Sequence, residues 1–135
     1  MTPSTASTPK AMLWAGRALF ALAVLFMIFD VAIKLLDMQI VRDTMAQLGY
    51  APDLGRTIGI IEAVCLILYI VPRTSILGAV LLTAVMGGAI ATHIRVGDPL
   101  LSHILFGVYL GAALWGGIWL RDARLRAIFP IRLGA

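Results

Sequence analysis

Glu62 is an ionisable residue inside an apolar stretch, residues 54–71, which is long enough to cross a membrane. A charged side chain costs several kcal/mol in hydrocarbon, so such a residue marks a functional site by default. Its own helix offers no partner. Glu62 must therefore be protonated, or paired with Lys34, His93 or Arg95 from another part of the chain.

Asp30 and Lys34 are a second pair of ionisable residues in an apolar segment. Their spacing of four residues places them on one face of a helix, where an ion pair would neutralise both charges. The same residues could instead join Glu62 in a pocket that binds a ligand or a proton. His93 and His103 lie near the ends of later apolar segments, and each could be an ordinary interfacial histidine or part of that pocket.

The chemistry open to such a cluster is hydrogen bonding and proton exchange with an amphipathic molecule that enters from lipid. No nucleophile–base pair and no phosphate-binding loop is visible, and whether the chain catalyses a reaction stays open. The spacing of His93 and His103 is unlike that of metal motifs, so no metal site is predicted. A quinone suits the cluster, because its carbonyls accept hydrogen bonds and its reduction consumes protons that Glu62 and His93 could supply.

The composition is that of an integral membrane protein. Hydrophobic residues make up 61% of the 135, and charged residues only 13%, which is about half the share in soluble domains. The net charge of +4 does not indicate nucleic-acid binding, because the basic residues flank apolar segments instead of forming a stripe with aromatics. Cys65 is the only cysteine, which excludes an intramolecular disulfide or a CxxC redox pair.

The apolar segments predict an all-α fold, a four-transmembrane-helix bundle. A span needs roughly 20 apolar residues, and we place the spans at residues 11–36, 54–71, 75–94 and 102–120. Together they form a membrane domain at residues 11–126. A polar tail at residues 1–10, predicted to be disordered, precedes it, and a cytoplasmic tail at residues 127–135 follows.

The segment between the first two spans predicts a short interfacial amphipathic helix. Its apolar residues fall on one helical face, namely Met38, Val41, Met45 and Leu48. Asp37 is a candidate N-cap and Gly49 a candidate residue just after the helix end. The helix could be a plain connector or a lid over the polar pocket.

The distribution of basic residues predicts the orientation. One side carries seven of them: Lys10, Arg17, Arg73, Arg121, Arg124, Arg126 and Arg132. The other side carries Lys34, Arg42, Arg56 and Arg95. Both termini are therefore expected in the cytoplasm, and the buried ionisable residues fall in the outer half of the bundle.

Several stretches resemble the DoxX-like family of small bacterial membrane proteins, most specifically Glu62 with its surroundings, VPRTSILGA at 71–79 and GGAIATHIR at 87–95. The resemblance, which extends over most of the chain after the tail, implies a four-helix membrane domain in the bacterial inner membrane. It also implies a loose kinship to the DoxD-type subunit of thiosulfate:quinone oxidoreductase, and hence an association with quinones. The positions that carry over are Lys34, Glu62, His93 and Arg95, with Asp30 less distinctive.

The resulting expectation is an accessory or quinone-interacting component of a membrane redox or stress-defence system. Glu62 would be the central acid, His93 a proton donor or acceptor, and Lys34 with Arg95 would supply positive charge to a bound oxygen. Its partners would be the bilayer, a quinone or another membrane redox protein, and an oligomer is left open. The alternatives are a non-catalytic assembly subunit and, with less support, a small proton-coupled transporter.

Overall fold

The computed structural model describes residues 7–132, and every regular element among them is helical. The elements, in chain order, are α1 (Lys10–Leu35), α2 (Gln39–Gln47), α3 (Leu54–Ile70), α4 (Ser75–Val96), a π-helical segment (Leu100–Ile104), α5 (Phe106–Trp119) and α6 (Ala123–Ile128). The all-α prediction is confirmed. Residues 1–6 of the predicted disordered tail and residues 133–135 of the predicted C-terminal tail lie outside the described residues.

Within residues 7–132, three helices are long and apolar enough to cross a membrane: Lys10–Leu35, Ser75–Val96 and the continuous stretch Leu100–Trp119. They coincide, to within two residues at each end, with three of the predicted spans. The predicted second span corresponds to α3, which has 17 residues and is not among the three. The structure thus supports a membrane protein, and a fourth span stays a prediction.

The four longest helices pack side by side. α1 packs against α3 and α5, and α4 packs against the same two helices. The largest fully buried side chains are Tyr69, Met27, Leu82 and Leu114, one from each of these helices. Large apolar side chains cover the outer faces as well, for example Leu25 and Phe29 on α1 and Ile60 and Val64 on α3. In water such surfaces would be costly, whereas lipid solvates them.

The predicted amphipathic helix is present as α2. Val41, Met45 and Leu48 are buried, and they pack with Ile33 and Ile58. The buried face of α2 is thus the predicted one, except that Met38 is exposed.

The two ends of α2 differ in how well they were predicted. Gly49 follows the helix with φ +79°, a conformation that favours glycine. The proposed N-cap is wrong, because the helix starts at Gln39 after Met38. Asp37 instead adopts a left-handed backbone conformation and pairs with Arg42 at 2.9 Å.

Candidate functional site

The buried ionisable residues of α1 and α3 meet in one cluster. The Lys34 ammonium nitrogen lies 2.6 Å from Asp30 Oδ2, one turn away on α1. The same nitrogen lies 2.8 Å and 2.7 Å from Glu62 Oε1 and Oε2 on α3. The two sequence interpretations, an intrahelical pair and an interhelical pair, are therefore both present and share one lysine.

The cluster is shielded from solvent by the helices around it. Glu62 is only 3% exposed, and the side chains of Lys34 and Asp30 are 14% and 24% exposed. Buried ions need close partners, because their removal from water costs several kcal/mol each. Two carboxylates and one ammonium leave one net negative charge when both acids are ionised.

Gly59 allows the two helices to approach closely enough for this contact. It lies one turn before Glu62, and a Cβ atom on it would be only 2.7 Å from the Lys34 Cβ. Real Cβ atoms do not approach so closely, so any larger residue would push α1 away from α3. Gly59 was not among the residues predicted from the sequence, although a glycine one turn from a buried acid is a usable signal for close helix packing.

A cavity of about 440 Å³ adjoins the cluster, within the range of small-molecule sites. It lies at the end of the molecule where α1 leads into α2, opposite the short α3–α4 connection. Its wall is largely apolar, and its polar side chains come from Asp30, Lys34, Thr44, Tyr50, Glu62, Thr92, His93 and His103. The cavity thus brings together four of the five predicted site residues: Asp30, Lys34, Glu62 and His93.

His93 and His103 occupy the wall of the cavity near each other, with ring centroids 5.7 Å apart. His93 Nδ1 lies 2.5 Å from Asp98 Oδ2, a partner that the sequence analysis did not single out. Because an ionised carboxylate only accepts, Nδ1 carries the proton in this contact. His103 Nδ1 lies 2.8 Å from the Ser102 hydroxyl oxygen.

Arg95 is the one predicted site residue that does not line the cavity. Its guanidinium donates a hydrogen bond to the Leu48 carbonyl at the end of α2, and it lies over the Tyr50 ring, 6.0 Å from the centroid. In this position Arg95 ties α4 to the segment after α2. A positively charged side chain that contacts a ligand in the cavity would therefore have to be a residue other than Arg95.

The segment that includes α2 covers part of the cavity. Thr44, Met45, Leu48 and Tyr50 contribute to the wall, and the Tyr50 hydroxyl lies 2.8 Å from the Thr92 hydroxyl on α4. Together with the Arg95 contact, this hydrogen bond fastens the segment to α4. The arrangement matches the lid alternative for the amphipathic helix, and the sequence analysis missed Tyr50 and Thr92.

Two phenylalanines connect the cavity with the apolar outer surface. Phe26 of α1 and Phe106 of α5 line the cavity, and both are also exposed on the outside. Their ring centroids are 5.2 Å apart. An apolar molecule could pass from lipid to the cavity between α1 and α5 by displacing these two rings.

Among residues 7–132, no three His, Cys, Asp or Glu side chains come close enough together to hold a metal ion. The groups that could contact a bound molecule are the carboxylates, the hydroxyls and the imidazoles of the cavity wall. This set fits an organic molecule with an apolar body and a polar group.

A sequence model of the DoxX-like family matches residues 18–117, which include every candidate site residue. The resemblance inferred from the sequence motifs is therefore confirmed. The comparison with curated proteins found no match, and the comparison with solved structures found none.

Proposed function

We propose a function on two premises: the chain belongs to the DoxX-like family, and its buried ion cluster borders a cavity suited to a small amphipathic molecule. The proposed function is that of a quinone-interacting accessory component of a membrane redox or stress-defence system. The chain would bind the quinone head group and exchange protons with it. A partner redox protein in the same membrane would supply or take the electrons.

The observation that carries this proposal is the contact of Lys34 with Glu62 at the wall of a mainly apolar cavity. With both acids ionised the cluster carries one negative charge, so it can take up one proton and still keep an ion pair. A carboxylate that gains and loses a proton next to a bound quinone is what proton-coupled reduction requires. His93, hydrogen-bonded to Asp98, would connect the cavity to the aqueous side.

The membrane arrangement belongs to the proposal as well. α3 has 17 residues, about 26 Å at 1.5 Å per residue, and its outer face carries exposed apolar side chains such as Ile60 and Ile67. We infer a bundle of four spans, with α2 at the interface. The excess of Lys and Arg at the end opposite the cavity favours cytoplasmic termini and an outward-facing cavity in a bacterial inner membrane.

A binding titration tests the proposal. The purified protein in lipid nanodiscs is titrated with decylubiquinol under anaerobic conditions by isothermal calorimetry, and the Glu62→Gln and His93→Ala variants are compared with it. Each variant is expected to bind about tenfold more weakly, which corresponds to about 1.4 kcal/mol. The matched control is Asp43→Asn, an acid-to-amide change at an exposed residue whose carboxylate accepts a hydrogen bond from Gln39 and does not line the cavity. Unchanged affinity in both cavity variants would count against the proposal.

A second candidate function is that of a non-catalytic assembly subunit, in which the cluster only fixes the register of α1 against α3. The observation in its favour is that all three N–H groups of Lys34 are directed at carboxylates of the two helices. A purely structural cluster predicts no ligand affinity at all. It also predicts a large stability loss for Glu62→Gln, so stability and binding together separate the two functions.

A further inference from the structure

The hydrogen-bond donors of the ion cluster are all occupied. A lysine ammonium has three N–H groups, and those of Lys34 reach Asp30 Oδ2 and both Glu62 carboxylate oxygens. Carboxylates, when ionised, only accept. Among the described residues, no donor contacts the second oxygen of Asp30, a residue of the cavity wall. To a bound ligand, the cluster therefore presents hydrogen-bond acceptors and no free hydrogen-bond donor.

The hydroxyl groups of the cavity wall also donate their protons to protein atoms. Thr44 donates to the Ile40 carbonyl at 2.7 Å, and Thr92 donates to the Gly88 carbonyl at 2.9 Å. Since a hydroxyl has a single proton, Tyr50 must be the donor in its 2.8 Å contact with Thr92. All three hydroxyl protons are therefore directed at protein atoms, and only lone pairs remain for a ligand.

The histidines complete the inventory of polar groups. His93 directs its Nδ1 proton at Asp98, so in its neutral form Nε2 is an acceptor. His103 can donate or accept, because its contact with Ser102 is compatible with either tautomer. Of the eight polar side chains in the wall, six therefore present only acceptors when the imidazole of His93 is neutral, Lys34 keeps its partners, and His103 can still donate.

From this inventory we infer that the cavity is built for a ligand that donates hydrogen bonds, and that it prefers the diphenol form of a quinone, the quinol, over the oxidised form. The inference rests on the proposed function and refines it. A quinone has carbonyl acceptors, which would face carboxylate oxygens and unpaired lone pairs. A quinol has the same ring and tail, and one of its two O–H groups can donate to a carboxylate oxygen of Asp30 or Glu62. This bond would offset the negative charge that the cluster holds away from water.

The preference is measured with matched ligands. Decylubiquinol, its 1,4-dimethyl ether and decylubiquinone are titrated into the protein in nanodiscs under anaerobic conditions, so that the quinol stays reduced. We expect the quinol to bind about tenfold more tightly than the quinone or the ether, since one hydrogen bond gained by an unpaired acceptor contributes up to about a factor of ten. The ether keeps the ring and tail of the quinol and lacks its donors, and the quinone, which is close to the quinol in size, controls for the bulk of the two added methyl groups.

The Asp30→Asn variant tests the residue assignment. Asparagine adds an N–H donor and removes one negative charge, while the Lys34–Glu62 contact stays intact. The quinol preference should fall to about threefold or less, whereas the Asp43→Asn control should keep it. An unchanged preference in Asp30→Asn would overturn the inference.

The outcomes also separate this inference from the proposed function. Equal or tighter binding of the quinone would overturn the donor preference and leave the proposed function standing. Failure of all three ligands to bind would overturn both. Decyltrimethylammonium is included as a cationic amphiphile, and if it alone binds, the cluster is a cation site and both are overturned.

Discussion

The Lys34 ammonium nitrogen lies 2.8 Å and 2.7 Å from the two carboxylate oxygens of Glu62, a residue 28 positions further along the chain. The contact joins α1 to α3 and forms part of the wall of the cavity. Because the same lysine also holds Asp30, the loss of either acid still leaves one ion pair. This redundancy is useful in a site where one acid changes its protonation state.

Glu62→Gln is expected to change stability only slightly. The variant leaves Asp30 and Lys34 as a neutral pair and removes the net negative charge from the cluster. We expect the free energy of unfolding to change by less than about 1 kcal/mol, or to rise, because a buried net charge is unfavourable. Urea or SDS titration of the purified protein measures it. A loss of about 3 kcal/mol or more would indicate that the contact is mainly structural.

Lys34→Met is expected to be much more damaging. It leaves two carboxylates side by side without a cation, and removal of one partner of a buried pair costs about 3–5 kcal/mol. Adding Glu62→Gln to Lys34→Met should restore part of this loss, because one of the unpaired charges is then gone. A double-mutant cycle gives the coupling, expected at about 1–3 kcal/mol. Strictly additive effects would show that the two side chains do not interact.

Gly59→Ala is expected to separate α1 from α3, because the added methyl group would meet the Lys34 side chain. Overpacking of this kind costs about 1–3 kcal/mol. Gly111→Ala is the matched control, since a Cβ there has nothing within 4 Å and alanine favours helix by up to about 1 kcal/mol. Thermal unfolding of both variants in one detergent makes the comparison. Equal unfolding temperatures of the Gly59→Ala and Gly111→Ala variants would mean that α1 and α3 leave room for a methyl group at Gly59.

Gly88→Leu is expected to block the cavity without disturbing the fold. Gly88 is part of the cavity wall, and a Cβ on it meets no atom within 4 Å. The leucine side chain should lower decylubiquinol affinity about tenfold or more at unchanged stability. Gly87→Leu is the control, because the neighbouring glycine is equally open but lies outside the wall. If both variants bind normally, the ligand does not use this cavity.

Tyr50→Phe is expected to loosen the lid segment. The change removes the hydrogen bond to Thr92, whose net contribution is about 0.5–1.5 kcal/mol. Amide hydrogen exchange across α2 should become several-fold faster, while exchange in the core of α4 stays the same. Identical exchange in both proteins would show that the Tyr50–Thr92 contact does not hold α2 in place.

Sequence reasoning reached much of the fold and part of the site, for physical reasons. The apolar stretches locate the helices, and the spacing of Asp30 and Lys34 already places them on one face of α1. For the partner of Glu62, the sequence left three candidates, namely Lys34, His93 and Arg95. Helical periodicity orders residues within one helix, but it does not determine how two helices are rotated against each other.

The site residues that were predicted wrongly or not at all also depend on how the helices and loops are placed against each other. Arg95 was expected beside the cluster, and it instead contacts the Leu48 carbonyl, a backbone group that no side-chain pattern reveals. Tyr50 lies in a loop whose path depends on the position of α2. Asp98 is adjacent to His93 only because the chain turns at Gly97, which has φ +76°.

An experimental structure of the protein with decylubiquinol in nanodiscs tests the central claim most directly. The account predicts the head group inside the cavity, with a hydroxyl oxygen within about 3.2 Å of a carboxylate oxygen of Asp30 or Glu62. A ligand bound only on the lipid-facing surface, or Glu62 turned toward lipid and away from Lys34, would contradict it.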